Sequence, residues 1–338
     1  MKKIAVENAV GMTLCHDVTA IVDGFKGPLF KRGHVISADD VPRLLNIGKT
    51  HLFVWEENAG EVHEEDCALR FAAMAPVEGA HYNGPSEGKV TLIADRRGMF
   101  RADTALQKQL NSIPDVTVTS LPDHYPVEAG ARLASMRIIP LVTREENIAR
   151  AEALCAGKQL FRLLPYRPMR AAIIITGSEV YSGRIRDKFE AVARARLAKY
   201  PCEIVSAAIC DDDMDMLRGA ADSALAAGAD LIVFHGGMSV DPDDLTPTAI
   251  RALGAEIVSY GVPAQPGNMS LVAYLGGVTI LGVPSSAISN RTSMFDVVLP
   301  QVFAGERFTK DDLTNLGNGG LCQQCETCTF PNCTFGKY

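Results

Sequence analysis

The chain has 338 residues, 47% hydrophobic and 22% charged, the composition of an ordinary globular protein with room for about two domains of roughly 150 residues. A formal net charge of −7 with no long Lys/Arg run argues against a nucleic-acid partner, which normally meets a basic patch. No apolar run approaches the roughly 20 residues needed to span a bilayer, and Glu7 interrupts the N-terminal stretch before it reaches signal-peptide length, so the chain reads as cytoplasmic with no membrane partner.

Residues 1–165 read as a mixed α+β region without a convincing repeat. Strand-like pieces occur near Leu52–Trp55, Val90–Ala94, Val116–Ser120 and Arg137–Val142. Helices are expected over Ser37–Ile47, Asp103–Ser112 and Arg144–Ala156. The prolines in Leu164-Pro-Tyr-Arg-Pro168 favour extended backbone and mark a boundary.

Residues 169–306 carry a clear alternation of strand and helix. Ala171–Ile175 is an apolar strand running into Thr176-Gly177-Ser178-Glu179, followed by a helix over Asp187–Tyr200 and a strand over Ile204–Ile209. From Asp213, Leu217, Ala220, Ala221, Ala224 and Leu225 share one helical face, and Gly228 stops that helix. Then come a strand at 231–235, a helix over Pro247–Leu253 with Thr246 as its cap, a strand over Val278–Val283 and a helix from Ser286 to Phe303. Strands alternating with helices imply an α/β fold with a doubly wound, mostly parallel sheet. Beyond Gly305, the glycines and asparagines of 315–320 read as a flexible tail over 307–338.

Ligands of such sheets sit where loops leave the carboxyl ends of strands. Several loops here have that position: Thr176–Glu179, Gly236–Asp244, Pro266-Gly267-Asn268 and Gly282–Ser286. Gly236 and Gly237 permit close backbone approach, and a helix start beyond the acidic loop favours an anion. His235, at the strand end, reads as a hydrogen-bonded structural residue, with ligand contact as the alternative.

The order Thr-Gly-Ser-Glu, Gly-Gly-x-Ser, Asp-x-Thr-Pro, Pro-Gly and Gly-x-Pro over 170–305 resembles the molybdopterin-binding domain of molybdenum-cofactor biosynthesis. That domain occurs in molybdopterin adenylyltransferases and in MoeA/gephyrin-type molybdopterin molybdotransferases. Val6–Leu14 and Lys31–Ile36 are similar to the molybdotransferase N-terminal region. The resemblance implies a molybdopterin cradle formed by Thr176, Gly177, Ser178, Glu179, Gly236, Gly237, Ser239, Pro266, Gly267, Gly282, Pro284, Ser285 and Ser286. It implies that Asp244 is catalytic beside the pterin phosphate and metal, and a homo-oligomer by analogy. The chain departs from the family pattern at Ser178 (usually Asp), Asp241 (usually Gly), Asn268 (usually Lys) and Ser285-Ser286 (usually Gly-Asn). Losing a lysine and gaining an aspartate makes an oxyanion less welcome. Mg²⁺ would offset this by bridging carboxylates and phosphate oxygens.

Five of the nine cysteines are scattered, while Cys322, Cys325, Cys328 and Cys333 lie close together near the end of the chain. In a reducing compartment that cluster reads as a metal site. Two successive x2 gaps resemble iron–sulfur spacing, a [4Fe–4S] cluster in particular, more than paired zinc knuckles; four-thiolate zinc is the alternative.

The function expected from these observations is molybdopterin binding in molybdenum-cofactor biosynthesis, with metal insertion or delivery to a client molybdoenzyme. A non-catalytic carrier or sensor of the cofactor is the competing expectation.

Overall fold

The computed structural model describes residues 1–22, 24–56 and 59–337, which form two compact units. The first comprises Met1–Asp95, Ala102–Leu121 and Gly130–Arg162; the second comprises Arg96–Arg101, Pro122–Ala129 and Leu163–Tyr338.

The first unit is α+β, as its sequence indicates. An antiparallel sheet runs in the order Ala80–Ser86, Lys89–Ala94, Arg132–Ile138, Val116–Ser120. The strand expected at Arg137–Val142 begins earlier, because Leu133 and Met136 of 132–138 point into the core while Ile139 is exposed. Helices Asp40–Asn46, Thr104–Leu110 and Glu145–Cys155 lie within the expected ranges. Strand Lys2–Ala5 pairs antiparallel with His51–Val54, and Val6, Leu14, Phe30, Leu44 and Leu52 form a small apolar core beside them.

The second unit is built on a six-stranded sheet. In chain order its strands are β1 (Met169–Thr176), β2 (Cys202–Cys210), β3 (Leu231–His235), β4 (Glu256–Tyr260), β5 (Leu271–Leu275) and β6 (Val278–Val283), arranged β2-β1-β3-β6-β5-β4. The first four in that order are mutually parallel, while β5 runs against both β6 and β4. The helices are α1 (Ser178–Tyr181), α2 (Phe189–Leu197), α3 (Met214–Ala226), α4 (Thr246–Ala252), α5 (Ser286–Ser289), α6 (Met294–Ala304) and α7 (Lys310–Asn315).

Strands buried on both faces need unbroken apolar runs, which β1, β3 and β6 supply. Ala171, Ile173, Ile175, Leu231, Val233, Leu281 and Val283 face a layer containing Phe189, Ala193, Leu197, Val298, Val302 and Phe303. Ala172, Ile174, Ile232, Phe234 and Ile280 face the opposite layer, with Leu217, Ala221, Ala224 and Ile250.

Further local details differ from the sequence reading. The helix expected over 286–303 is two helices. Its break at 290–293 is fixed where Arg196 donates to the Asn290 carbonyl (3.0 Å) and Ser293 caps α6 by a reciprocal box with Asp296. Thr246 does not cap α4: Leu245 holds the N-cap position, and the Thr246 hydroxyl donates instead to the Gly236 carbonyl (2.8 Å). The tail is folded, not free, because Phe308, Leu313, Leu316 and Phe335 are buried in the same core as the strands. Among the described residues, no helix is long and apolar enough to cross a membrane.

Candidate functional site

Parallel register brings the carboxyl ends of the central strands into line. Thr176 pairs with Cys210, Ile175 with His235, and His235 with Val283, so the loops beyond them share one edge.

Thr176 ends β1 and is buried; its hydroxyl donates to the Asp212 carboxylate (2.7 Å) and to the Asp211 carbonyl (3.2 Å). The Ser178 N–H donates to the other Asp212 oxygen (2.9 Å), and the Ser178 hydroxyl donates to Asp211. Two successive carboxylates thus hold the Thr-Gly-Ser turn. The Ser178 contact keeps the Asp211 carboxyl below the usual carboxylate range. Gly177 has φ +148°, and exposed Glu179 begins the first turn of α1.

Gly236 has φ +90°, and a Cβ there would overlap the Thr176 carbonyl oxygen, so β1 and β3 approach at their ends as closely as glycine permits. A Cβ on Gly237 would lie 2.9 Å from the Thr246 hydroxyl oxygen, and one on Gly282 would lie 2.6 Å from the Met238 methyl. The Tyr260 hydroxyl donates to the carbonyls of Met238 (2.9 Å) and Ser239 (3.0 Å), tying the acidic loop to the end of β4. Burial raises the Tyr260 phenol above its ordinary pKa, and the Asp244 charge adds to this. Asp244 accepts from the Asp241 N–H (3.0 Å), so one of its oxygens closes its own loop.

His235 is buried. Its Nδ1 lies 2.8 Å from the Val283 carbonyl, which makes Nδ1 the protonated nitrogen of the neutral ring, and the ring stacks on Phe189 at 3.8 Å. Burial lowers its pKa. The structural reading of this histidine fits its surroundings.

Pro284 ends its strand loop with Ser285 exposed, and the Ser286 hydroxyl is buried without a hydrogen-bond partner. Pro266 and Gly267 sit farther along the edge, against the start of α6: the Met294 N–H donates to the Pro266 carbonyl (2.9 Å), and a Cβ on Gly267 would lie 2.6 Å from the Met294 Cβ.

Residues 172–304 match the family described as probable molybdopterin binding domain. They belong to it. Residues 3–56 match a domain of unknown function (DUF8806). The molybdopterin-binding domain accounts for the sheet and all of the edge loops just described. Over 90 residues the chain is 37% identical to a CinA-like protein of Mycobacterium sp. (strain JLS), covering 26% of this chain and 21% of that one. Over 183 residues it is 24% identical to the molybdopterin molybdenumtransferase of Haemophilus influenzae, covering 52% and 41%. The tungsten cofactor synthesizing protein MoaB from Pyrococcus furiosus aligns with a TM-score of 0.34 at 18% identity, over 40% of this chain and 94% of that one. The chain thus spans about a fifth to two fifths of the length of these curated relatives.

Sequence reasoning overlooked Asp211, Asp212 and Tyr260. The signal for the first two was present: an Asp-Asp-Asp run directly after strand β2, of which Asp213 alone had a role, as the start of α3. Asp213 does cap that helix, accepting from the Met216 N–H (2.9 Å).

The four tail cysteines lie around one cavity of about 350 Å³ that also includes Arg291 and Thr292. Cys322 and Cys333 are partly covered, and Cys325 and Cys328 are exposed. Among the described residues, no three His, Cys, Asp or Glu side chains stand close enough to hold one ion.

Proposed function

We infer that the second unit binds molybdopterin along the carboxyl edge of its sheet and acts in molybdenum-cofactor biosynthesis, in metal insertion or delivery to a client molybdoenzyme. The observation that carries this reading is the joining of the Thr176–Glu179, Gly236–Asp244 and Gly282–Ser286 loops on one edge, with Pro266–Gly267 beside them at α6. The donor set fits a pterin with a phosphate arm. Ser239 and Ser285 are exposed at the loops, the buried Ser286 hydroxyl has no partner within the chain, and glycine backbone permits close approach. Asp244 would position Mg²⁺ against phosphate oxygens, with phosphate and water supplying the other oxygen ligands, the arrangement this ion favours. The four tail cysteines are read as a thiolate metal site, iron–sulfur or zinc.

As an enzyme, the protein would take molybdate and adenylylated molybdopterin as substrates, with the serine and glycine loops orienting the pterin and Asp244 positioning Mg²⁺. The test is incubation of the full chain with adenylylated molybdopterin, Mg²⁺ and molybdate. AMP release that Asp244→Ala reduces at least about a hundredfold, the scale of losing a positioned electrostatic group, supports the reading; no AMP release counts against turnover.

A non-catalytic carrier is the second reading. It is favoured by the Asp244 carboxylate accepting from Asp241 and by Asn268 standing where the family resemblance expects lysine. Pterin binding without AMP release, unaffected by Asp244→Ala, would establish it.

A further inference from the structure

We propose that Cys322, Cys325, Cys328 and Cys333 ligate a [4Fe–4S] cluster, and that the loaded tail orders the Gln265–Gly267 side of the pterin edge. The cluster assignment stands independently of the pterin reading; its consequence for ligand binding rests on that reading.

The ligand pattern is Cys-x2-Cys-x2-Cys-x4-Cys, three thiols from one short loop and a fourth shortly after, which is the economy of cluster-binding loops. The four cysteines line one cavity of about 350 Å³. A single zinc ion at Zn–S distances of about 2.3 Å draws four sulfurs into a small tetrahedron. A cubane carries its thiolates at the corners of a wider one, which a cysteine-lined cavity accommodates.

The loop is held on several sides by the folded unit. Gln265 and Leu321 form a bridge in which the Gln265 N–H donates to Gly320 (2.7 Å) and the Cys322 N–H donates to Gln265 (2.8 Å). The Arg291 guanidinium donates to the Glu326 carbonyl, and the Thr292 hydroxyl lies 3.0 Å from the Cys328 sulfur. Cys322, Phe330 and Cys333 pack on the main core, and the Tyr125 hydroxyl donates to Asn332 (2.8 Å). Ligand positions are therefore restricted before any metal binds.

Four thiolates around a cluster leave a net anion; of the charged residues lining the cavity, Arg291 offsets that charge and Glu326 opposes it. Lys337 sits over the Phe330 and Tyr125 rings at 4.9 and 5.0 Å and donates to the Phe335 carbonyl (3.3 Å), packing the end of the tail.

The link to the edge is short and runs through hydrogen bonds. The residue that accepts from the first ligand, Gln265, directly precedes Pro266-Gly267, and Arg291 and Thr292 follow α5 of the last edge loop. Fixing the thiols restrains both segments.

The experiment is anaerobic reconstitution of the full chain with iron and sulfide, with zinc as the competing probe. The expected result is equal iron and sulfide, four of each per chain, with a visible absorption that dithionite bleaches. Cys325→Ser and Cys328→Ser, at exposed positions, should fall below half of that iron with circular dichroism unchanged. Retention of one zinc per chain with iron excluded, or iron content unaltered in both variants, would overturn the assignment. The effect on the edge is read by hydrogen exchange at the Gln265 and Cys322 amides in unloaded and loaded chain without pterin. A slowing of tenfold or more is expected, and equal rates refute the ordering. Pterin affinity is then compared between the two forms. Tighter binding by the loaded form supports the coupling, equal binding overturns it, and binding by neither counts against the pterin reading while leaving the iron result standing.

Discussion

The Asp212 carboxylate accepts from the Thr176 hydroxyl through one oxygen, at 2.7 Å, and from the Ser178 N–H through the other, at 2.9 Å. One side chain from the end of β2 therefore sets the shape of the turn at the end of β1. Asp212→Ala removes both acceptors, and lost hydrogen bonds to a charged group cost about 1–3 kcal/mol in stability. The expected outcome is a modest drop in melting temperature and at least a tenfold weaker pterin affinity. Calorimetry and fluorescence titration check the two parts.

Gly236→Ala places a methyl on the Thr176 carbonyl oxygen at φ +90°, where neither backbone can retreat without breaking the β1–β3 ladder. It should destabilise the protein by more than about 2 kcal/mol, since strain and overlap add. Gly183→Ala is the control, because it shares a positive φ of +75° but meets nothing within 4 Å. Denaturant unfolding of the two variants should differ clearly, with equal losses contradicting the close approach.

Much of this architecture was legible in the residues. Strand β3 matches its expected limits because a continuous apolar run ended by two glycines has few alternatives. Strands β4 and β5 gave no such signal: Glu256, Ser259 and Tyr260 make β4 a mixed edge strand, and five-residue β5 leads into the Gly276-Gly277 turn to β6. The tail misled for a physical reason. Gly319 and Gly320 read as flexibility, but a Cβ on either would overlap backbone carbonyl oxygens, of Lys337 and of Leu316 and Pro263 respectively, so these glycines mark tight packing. At the site, the glycine and proline loops were visible as strand-end punctuation. The role of Asp212 was not, since it depends on which strands become neighbours.

Arg196 and Asp296 form a buried ion pair at 3.2 Å that fixes α2 to the start of α6. Burial pushes the Asp296 carboxyl up and the Arg196 guanidinium down, each opposed by the partner's charge. Asp296→Ala leaves a desolvated cation and a buried Ser293 N–H without its acceptor, costing about 3–5 kcal/mol. The Arg196→Met/Asp296→Ala double variant should be less destabilised than the single change, because the unpaired charge is gone. Chemical denaturation of both variants decides the order.

Burial lowers the His235 pKa, so the folded state holds it neutral while the unfolded chain takes up a proton near pH 6.5. Below that value the unfolded state binds more protons, and stability falls as pH falls. His235→Gln should flatten the decline between pH 7 and 5 even if it lowers stability at neutral pH. A slope identical to that of the parent protein would remove His235 from the account.

Phe335 is 2% exposed in the main core of the sheet, alongside side chains drawn from β1, α2 and α6. Phe335→Ala should cost about 3–5 kcal/mol, the range for a buried phenylalanine, with a thermal scan as the measure. The same placement bears on synthesis. The sheet's strands are complete by Val283, yet one wall of their core is closed by a side chain made dozens of residues later. Until Phe335 has been made and docked, that side of the core is open to solvent. Any truncation that stops translation short of Phe335 exposes that surface to chaperones and proteases, so cells would retain few shortened products.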